Sequence, residues 1–247
     1  MPRTSRQVSS TGYYHVMLRG NGRQILFESD RDRMKLLEYL DKSLSESNVE
    51  LLAWCLMDNH FHLLISDPDF ELSSFVKRIA TGYAVYHNRK EGHVGHVFQS
   101  RFRSEAIECD GHLLEVLRYI HNNPEEAGLC RAEEYPWSSY QEYLGCPMRT
   151  NTELFLDMLG GAEGFRAFCA DKRVRYPQDI LGRELTSEQL IEFAQGVLET
   201  DNVSFVKSLR RKDRDPLLRK LWNAGLSVRQ IERATGVGRN TVMRALS

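Results

Sequence analysis

The stretch Val49–Ile65, VELLAWCLMDNHFHLLI, consists of two apolar runs that are interrupted by the pair Asp58-Asn59. Aspartate and asparagine are typical turn residues, and a polar turn between two apolar runs predicts paired antiparallel strands. His60 and His62 fall two residues apart on the second strand, so both imidazoles project from the same face of a sheet. The pattern makes them candidate metal ligands. The alternatives are ordinary polar side chains on a half-buried strand and a structural zinc pair.

Further helices and strands are predicted before and after this pair of strands. Apolar periodicity, turn residues and an acidic helix start predict three helices and two further strands. They are a strand at Gly12–Gly20, helices at Asp30–Ser45, at about 70–89 and at Asp110–His121, and a strand at Val97–Ile107. Pro124 is expected to end the third helix. The order predicts an α+β fold in which helices pack on one face of an antiparallel sheet.

The rest of the chain predicts two further regions. The apolar pattern weakens beyond Trp137, and the segments Gly145-Cys146-Pro147 and Gly160-Gly161 indicate an irregular connection with short helices. Helical periodicity returns from Thr186. We therefore expect a first domain at residues 1–147, an irregular and partly helical connector at 148–185, and a small all-α region at 186–247.

Tyr119 and Asn123 lie four residues apart on the predicted third helix, which places them on one helix face. A tyrosine beside a divalent cation suits phosphodiester chemistry, because the cation withdraws charge from a phosphate oxygen while the phenolate attacks phosphorus. An amide oxygen can act as a third metal ligand. The alternative is that Tyr119 is a core aromatic residue and Asn123 is a C-cap before Pro124.

The other histidines are weaker candidates. His93 and His96 lie in a glycine-containing segment and compete with the strand pair as metal ligands. His15 and His112 are expected to be ordinary polar residues of the surface or core.

Blocks in three parts of the sequence resemble one family. The run Leu56–Ile65 resembles the HUH motif of single-tyrosine transposases, in which U is a bulky hydrophobic residue, here Phe61. The blocks Phe98–Phe102 and Leu117–Leu129, together with Arg19-Gly20-Asn21, resemble the REP-associated tyrosine transposases (RAYTs) of that superfamily. Asp58 stands where the family often has proline. The resemblance covers approximately the predicted first domain.

The resemblance implies a ferredoxin-like or RRM-like HUH domain in a bacterial enzyme. It implies metal-dependent cleavage and rejoining of single-stranded DNA at REP-type palindromic hairpins, through a 5′-phosphotyrosine intermediate. Tyr119 matches the nucleophile, His60 and His62 match the metal pair, and Asn123 falls at the third ligand position. The expected cofactor is Mg²⁺ or Mn²⁺. Because two histidines are softer donors than Mg²⁺ usually selects, Mn²⁺ is expected to support activity better in vitro.

The formal net charge of -1 gives no global signal for nucleic-acid binding, so DNA contacts must come from local basic clusters. Arginines can hold phosphates while neighbouring aromatic residues stack on unpaired bases. An N-terminal arginine arm can also enter a narrow groove. The candidates of the first domain are Arg3, Arg6, Arg19, Arg101 and Arg103. The alternative for each is a solvated surface charge.

The segment Gly225–Leu246 resembles a helix-turn-helix. Ser227 with Gln230 can form a capping box, and Gly236-Val237-Gly238 can form the turn. The side chains expected to face a major groove are Arg239, Asn240, Thr241 and Arg244. The alternative is a helical pair that serves packing or dimerisation.

The composition limits the class of protein. No apolar run approaches the roughly 20 residues that span a bilayer, and the basic N-terminus is followed by polar residues. The five cysteines are scattered without a C-x-x-C pair, so neither a disulfide frame nor a cysteine zinc site is indicated. We expect a cytoplasmic, nucleoid-associated protein without membrane contact, acting as monomer or homodimer. Two alternative functions remain: a non-catalytic DNA-binding regulator that retains the fold, and a zinc-dependent phosphoesterase that activates water.

Overall fold

The computed structural model describes residues 8–171, 187–224, 226 and 228–246. They form two compact units. The described part of the first unit comprises residues 8–108 and 116–171, and that of the second begins with 109–115 and continues from 187. Arg3, Arg6 and Ser227, which the sequence analysis singled out, lie outside the described residues. In the described part of the chain, no helix is long and apolar enough to cross a membrane.

The first unit is built around one sheet. Its elements are β1 (Tyr13–Arg19), α1 (Asp30–Ser45), β2 (Glu50–Met57), β3 (His60–Ser66), α2 (Leu72–Glu91), β4 (Arg103–Ile107), α3 (Asp110–Glu126), α4 (Glu153–Leu159) and α5 (Ala162–Ala170), with short 3-10 helices at Asn21–Arg23, Ala132–Glu134 and Ser139–Leu144. The first two turns of α3 belong to the second unit and the rest of the helix to the first. The four strands have the order β2-β3-β1-β4, and every neighbouring pair is antiparallel.

One face of the sheet packs against α1 and α2. Strand residues of even number on β1 and of odd number on β3 point to this face and are almost fully buried, as are the inward residues of the two helices. They include Val16, Phe61, Leu63, Leu36 and Phe75. Each such side chain contributes about 1.5–3 kcal/mol by leaving water. The antiparallel α+β fold that the sequence predicts is thereby confirmed.

The opposite face carries α3, which corrects the expectation that helices cover one face only. Tyr119 of α3 lies against His15 and His62, and these strand residues point away from the α1 and α2 layer. Leu64 and Cys55 on this second face are also fully buried. A sheet with apolar residues on both faces needs cover on both, and α3 supplies part of it.

The last strand is shorter than predicted. Of the expected span Val97–Ile107, only Arg103–Ile107 forms β4. The carbonyl of Val97 accepts the backbone N–H of Asn21 at 2.9 Å, and Val97 itself is buried in the core. Anchoring to the loop after β1 therefore holds the start of this segment away from a regular ladder with β1.

Pro124 does not end the third helix, contrary to expectation, because α3 continues to Glu126 with Pro124 inside it. The ring removes one backbone donor, but later donors restore the pattern: Ala127 N–H bonds to Asn123 O at 3.0 Å. The end of the helix is also held by a side chain, since Asn122 Nδ2 donates to Cys169 O at 2.8 Å. Tertiary contacts thus override the local preference.

Residues beyond Trp137 extend the first unit along β2. Tyr143 donates from its hydroxyl to Leu52 O at 2.6 Å, and Glu142 accepts from the Trp54 indole at 2.9 Å. The ring of Phe165 on α5 stacks on Tyr143 with centroids 4.5 Å apart. Residues 148–171, predicted as a connector, therefore form two short helices that pack on this unit.

His121 predicts an acid-sensitive first unit. Burial lowers the pKa of this fully buried histidine to about 3, with its Nε2 2.8 Å from Ser139 Oγ. A histidine whose pKa is lower in the folded state gives stability above its unfolded pKa of about 6.5, and this stability is lost as the pH falls. We expect His121→Gln to remove about 1.4 kcal/mol per pH unit of acid dependence between pH 6.5 and 4. Urea unfolding of the first unit's signal measures it.

The exposed His96 offers the control for that measurement. His96→Gln should leave the pH dependence of the unfolding free energy as in the parent protein. An unchanged dependence in His121→Gln would contradict the burial argument.

The second unit has a helical core of its own. Its further elements are α6 (Ser187–Leu198), a 3-10 helix at Val203–Ser208, α7 (Arg211–Asn223), α8 (Val228–Thr235) and α9 (Arg239–Leu246). Ile231, Ala234, Val237 and Val242 are buried in this core, so α8, the turn and α9 pack inward together. Gly236 adopts a positive φ of 69° between the two helices, a conformation that favours glycine.

Candidate active site

Three cross-strand rows on the α3 side of the sheet bring polar residues together. Arg19 pairs with His60, Met17 pairs with both His62 and Arg103, and His15 pairs with Leu64 and with Glu105. Paired residues share a face. The register therefore lines up three basic or acidic side chains from β1 and β4 beside the histidines of β3.

His62 is the buried centre of this cluster. Its side chain is 0% exposed, and its ring centroid lies 5.0 Å from that of His60 and 5.3 Å from that of Tyr119. Its Nδ1 is 2.9 Å from Nε2 of His15, whereas its Nε2 has no hydrogen-bond partner in the described part of the protein. Burial, with the neighbouring positive charges, lowers the pKa of His62 well below its ordinary value. The ring is therefore neutral at pH 7, as a metal ligand must be.

His60 is fixed through the turn that precedes it. Its Nδ1 is 2.7 Å from Oδ1 of Asn59, and the Asn59 amide donates to Arg23 O at 3.4 Å. Because an amide oxygen only accepts, this contact favours the tautomer of His60 that has its proton on Nδ1 and a lone pair on Nε2. Burial lowers the pKa of His60 to about 4, and the charge of Arg19 adds to this effect.

α3 places Tyr119 and Asn123 on the face that covers the histidines. Asn123 is 9% exposed and forms side-chain hydrogen bonds with both His60 and Tyr119. Burial raises the pKa of Tyr119 to about 12, while the bond from Asn123 opposes this rise. The structure thus brings together the four residues that the sequence singled out as nucleophile and metal ligands.

The donor set fits a divalent cation. In the residues that the structure describes, no group of three or more histidine, cysteine, aspartate or glutamate side chains could hold a metal ion. His60, His62 and the amide oxygen of Asn123 would be the protein ligands of a cation at this site. The buried, unpartnered Nε2 of His62 supports this fit, since a buried polar atom normally has a partner.

The arginines predicted to contact DNA in the first unit differ in their position relative to the histidines of β3. Arg19 lies directly opposite His60, and its Nε is buried without a hydrogen-bond partner among the described residues. Arg103 is exposed at the start of β4, and Arg101 is exposed in the segment before it. Only Arg19 is therefore paired with a candidate ligand.

The sequence did not predict that two further residues contact the candidate ligands. His15 was expected to be an ordinary polar residue, and Asn59 was treated only as part of a turn. Each contacts Nδ1 of one candidate ligand. The available signal for His15 was its spacing from Arg19, since residues four apart on a strand share a face.

The helix-turn-helix candidates lie at the end of the second unit. Arg239 and Arg244 on α9 are exposed and Thr241 is half-buried, while the Asn240 side chain is outside what the structure describes. Two exposed arginines on one short helix can contact DNA phosphates or base edges.

Comparison with known proteins relates residues 8–123 to one family. Residues 8–123 match the family described as "Transposase IS200 like". This match covers a little less than half of the chain and, together with the shared fold, bears out the resemblance to IS200-like transposases for that part. The match supports a DNA transposase-like function for residues 8–123.

Two solved structures align with parts of this chain, and the first of them shares the fold. A REP-associated tyrosine transposase bound to a REP hairpin aligns with a TM-score of 0.51 at 20% identity, over 59% of this chain and 86% of that one. A transposase from Deinococcus radiodurans R1, described as putative, aligns at 19% identity over 49% of this chain and 97% of that one, with a TM-score of 0.34. Among curated proteins, none matches this sequence.

Proposed function

We propose that this protein cleaves and rejoins single-stranded DNA at REP-type palindromic hairpins, with Tyr119 as nucleophile. One observation carries the proposal most: Asn123 bonds to both His60 and Tyr119, so the candidate ligands and the candidate nucleophile form one connected cluster. Perturbed, buried titratable groups that converge in this way are typical of active sites.

The proposed reaction is a transesterification. The phenolic oxygen of Tyr119 attacks a backbone phosphorus, the bond from phosphorus to the 3′-oxygen breaks, and the products are a 5′-phosphotyrosine and a free 3′-hydroxyl. The phenolic proton leaves Tyr119 and the departing 3′-oxygen gains a proton. A 3′-hydroxyl from another strand end reverses the step and releases the tyrosine, so the two strands are joined without any energy-rich cofactor.

His60, His62 and Asn123 would hold the cofactor, Mg²⁺ or Mn²⁺. The cation supplies positive charge that polarises the phosphate and favours the phenolate form of the attacking group. Two neutral imidazoles with one amide oxygen suit Mn²⁺ better than Mg²⁺. Burial favours the neutral phenol of Tyr119, so formation of the phenolate needs positive charge beside it.

Arg19 is the proposed contact for the reacting phosphate. It lies opposite His60 in the strand register, and its buried Nε has no hydrogen-bond partner in the described residues. A guanidinium can bind phosphate through two N–H groups at once. The exposed Arg101 and Arg103 are proposed to hold the flanking single strand, and the Arg3 and Arg6 arm to contact the base of the hairpin.

The decisive experiment is a covalent-adduct assay on a labelled REP-type hairpin with flanking single strands. With Mn²⁺ we expect a product of reduced gel mobility that carries protein on its 5′ side and disappears on protease treatment. Chelation of the metal should abolish the adduct but not hairpin binding. Hairpin binding without any adduct, across both metals and several flanking sequences, would favour the non-catalytic regulator instead.

The helix pair α8 and α9 is proposed to bind duplex DNA beside the hairpin. We expect Arg239→Ala to weaken duplex binding and to reduce the slope of log affinity against log salt by about 0.9, the effect of losing one phosphate contact. Fluorescence anisotropy across a salt series measures both.

Arg211 provides the matched control, because it is an exposed arginine on α7 and lies outside the helix pair. Arg211→Ala should leave duplex affinity and the salt slope close to those of the parent. Equal effects of the two substitutions would contradict a specific role for α9 and favour non-specific attraction.

A further inference from the structure

His15 is a buried histidine that the candidate ligand set does not include. Its side chain is 0% exposed, and its Nε2 lies 2.9 Å from Nδ1 of His62. In the register of β1 and β3, His15 pairs with Leu64, so that His62 is its diagonal neighbour on the same face. We propose that His15 is a positioning residue, which accepts the Nδ1 proton of His62 and thereby keeps the Nε2 lone pair of His62 available to the cation. This role rests on the proposed function.

The direction of the hydrogen bond between the two rings decides which nitrogen of His62 can bind a metal. If His15 donated, His62 would carry its proton on Nε2, which is buried and has no partner among the described residues. A buried N–H without an acceptor costs roughly 1–3 kcal/mol. If His62 donates from Nδ1, Nε2 is a lone pair that a cation can use. This choice of tautomers places the second N–H on Nδ1 of His15 instead, and the carboxylate of Glu105 beside that atom favours His62 as the donor.

Glu105 supports the same arrangement from β4. It pairs with His15 in the strand register, and its Oε2 lies 4.0 Å from His15 Nδ1. When neutral His15 accepts at Nε2, its own proton sits on Nδ1, on the side of this carboxylate. A carboxylate stabilises that tautomer because it can only accept and is negatively charged. Glu105, His15 and His62 thus form a carboxylate–histidine–histidine series, which extends the carboxylate–histidine pairs that orient metal ligands in other proteins.

His60, the other histidine of the candidate site, also has a partner at its Nδ1 atom. The Nδ1 of His60 is fixed by the amide oxygen of Asn59, an acceptor that belongs to the adjacent turn. His62 has no such residue beside it in the turn, since its Nδ1 faces β1. His15 supplies from another strand what Asn59 supplies locally.

The first test reads the tautomers directly. Imidazole ¹⁵N chemical shifts of the full chain, free of metal and DNA, distinguish a proton on Nδ1 from one on Nε2. We expect both His62 and His15 to be protonated on Nδ1. His62 protonated on Nε2 would overturn the positioning role, and in a protein that still forms the covalent adduct it would leave the proposed function intact.

The second test compares two substitutions of similar size. His15→Gln retains an amide oxygen that can accept from His62, whereas His15→Met fills nearly the same volume without a strong acceptor. By isothermal titration with Mn²⁺, we expect His15→Met to bind about 10–100-fold more weakly and His15→Gln to remain close to the parent. Equal affinities of the two variants would overturn the proposal.

Thermal unfolding of both variants without metal separates positioning from stability. A purely structural role would lower the unfolding temperature of His15→Met without changing the tautomer of His62 in the folded protein. If His15→Met does not fold, the ¹⁵N spectra of the parent and of His15→Gln still decide the role. A parent protein that binds no Mn²⁺ would contradict both the proposed function and the positioning role.

Discussion

Replacing Tyr119 by phenylalanine is expected to abolish the covalent adduct and to lower strand cleavage at least about 10⁴-fold, as removal of a covalent nucleophile does. The substitution removes one oxygen and retains the ring. The contacts of that ring with His62 and His15, at centroid distances of 5.3 and 5.8 Å, therefore persist. We expect the fold and the metal-independent affinity for hairpin DNA to be unchanged. A gel assay of the labelled hairpin with Mn²⁺ measures both products and binding.

Tyr135→Phe is the matched control for this prediction. Tyr135 is a buried tyrosine, and its hydroxyl donates to the backbone oxygen of Leu56 at 2.7 Å in the strand that precedes the histidines. Its loss should cost about 1 kcal/mol of stability, from one hydrogen bond, and leave cleavage largely intact. Cleavage retained in Tyr119→Phe would refute the tyrosine mechanism and favour a phosphoesterase that activates water on the same histidines.

The histidine pair was predictable from the sequence because its geometry is local. A turn at Asp58-Asn59 and the alternation of a strand are sufficient to put His60 and His62 on one face. The spacing of Tyr119 and Asn123 is local in the same sense, since four residues make about one helical turn. Both spacings, on the strand and on the helix, are independent of the strand order and of the packing of the helices.

Spacing in the sequence does not predict that the helix carrying Tyr119 packs against the strand carrying His60 and His62. Leu63, Leu64 and Ile65 are apolar without alternation, and such a run does not tell which face of the strand a given helix will cover. The sequence pattern therefore predicted all helices on one face, whereas α3 lies on the other. Only the family resemblance linked the tyrosine to the histidines before the structure was known.

The role of His15 depends on register, which the sequence does not specify. A shift of the β1 and β3 pairing by one residue would turn His15 to the α1 and α2 side and remove it from His62. The pairing of Met17 with His62 is fixed by the whole sheet and by the buried layers on both faces.

The end of α3 also depends on tertiary contacts. The local rule that proline ends a helix failed at Pro124, because packing of the helix end allows the helix to continue to Glu126.

Replacing His60 by alanine is expected to weaken Mn²⁺ binding more than about 100-fold, because a direct ligand contributes more than the outer partners whose loss costs 10–100-fold. His60 is only half-buried, so the substitution should be tolerated better than one at the fully buried His62. Removal of the imidazole also frees Asn123 and Asn59 from their bonds to it. We expect the covalent adduct to disappear at Mn²⁺ concentrations that saturate the parent, while hairpin binding in chelator is retained.

His96→Ala tests the competing histidine pair on the same scale. His93 and His96 are exposed in the segment between α2 and β4. The two imidazoles of β3, in contrast, have their Nδ1 atoms fixed by Asn59 and His15, which lowers the entropy lost when a cation binds. Isothermal titration should therefore give His96→Ala the Mn²⁺ affinity of the parent. The reverse pattern, with affinity lost in His96→Ala and kept in His60→Ala, would move the metal site to the segment 92–96 and leave Tyr119 without a cation beside it.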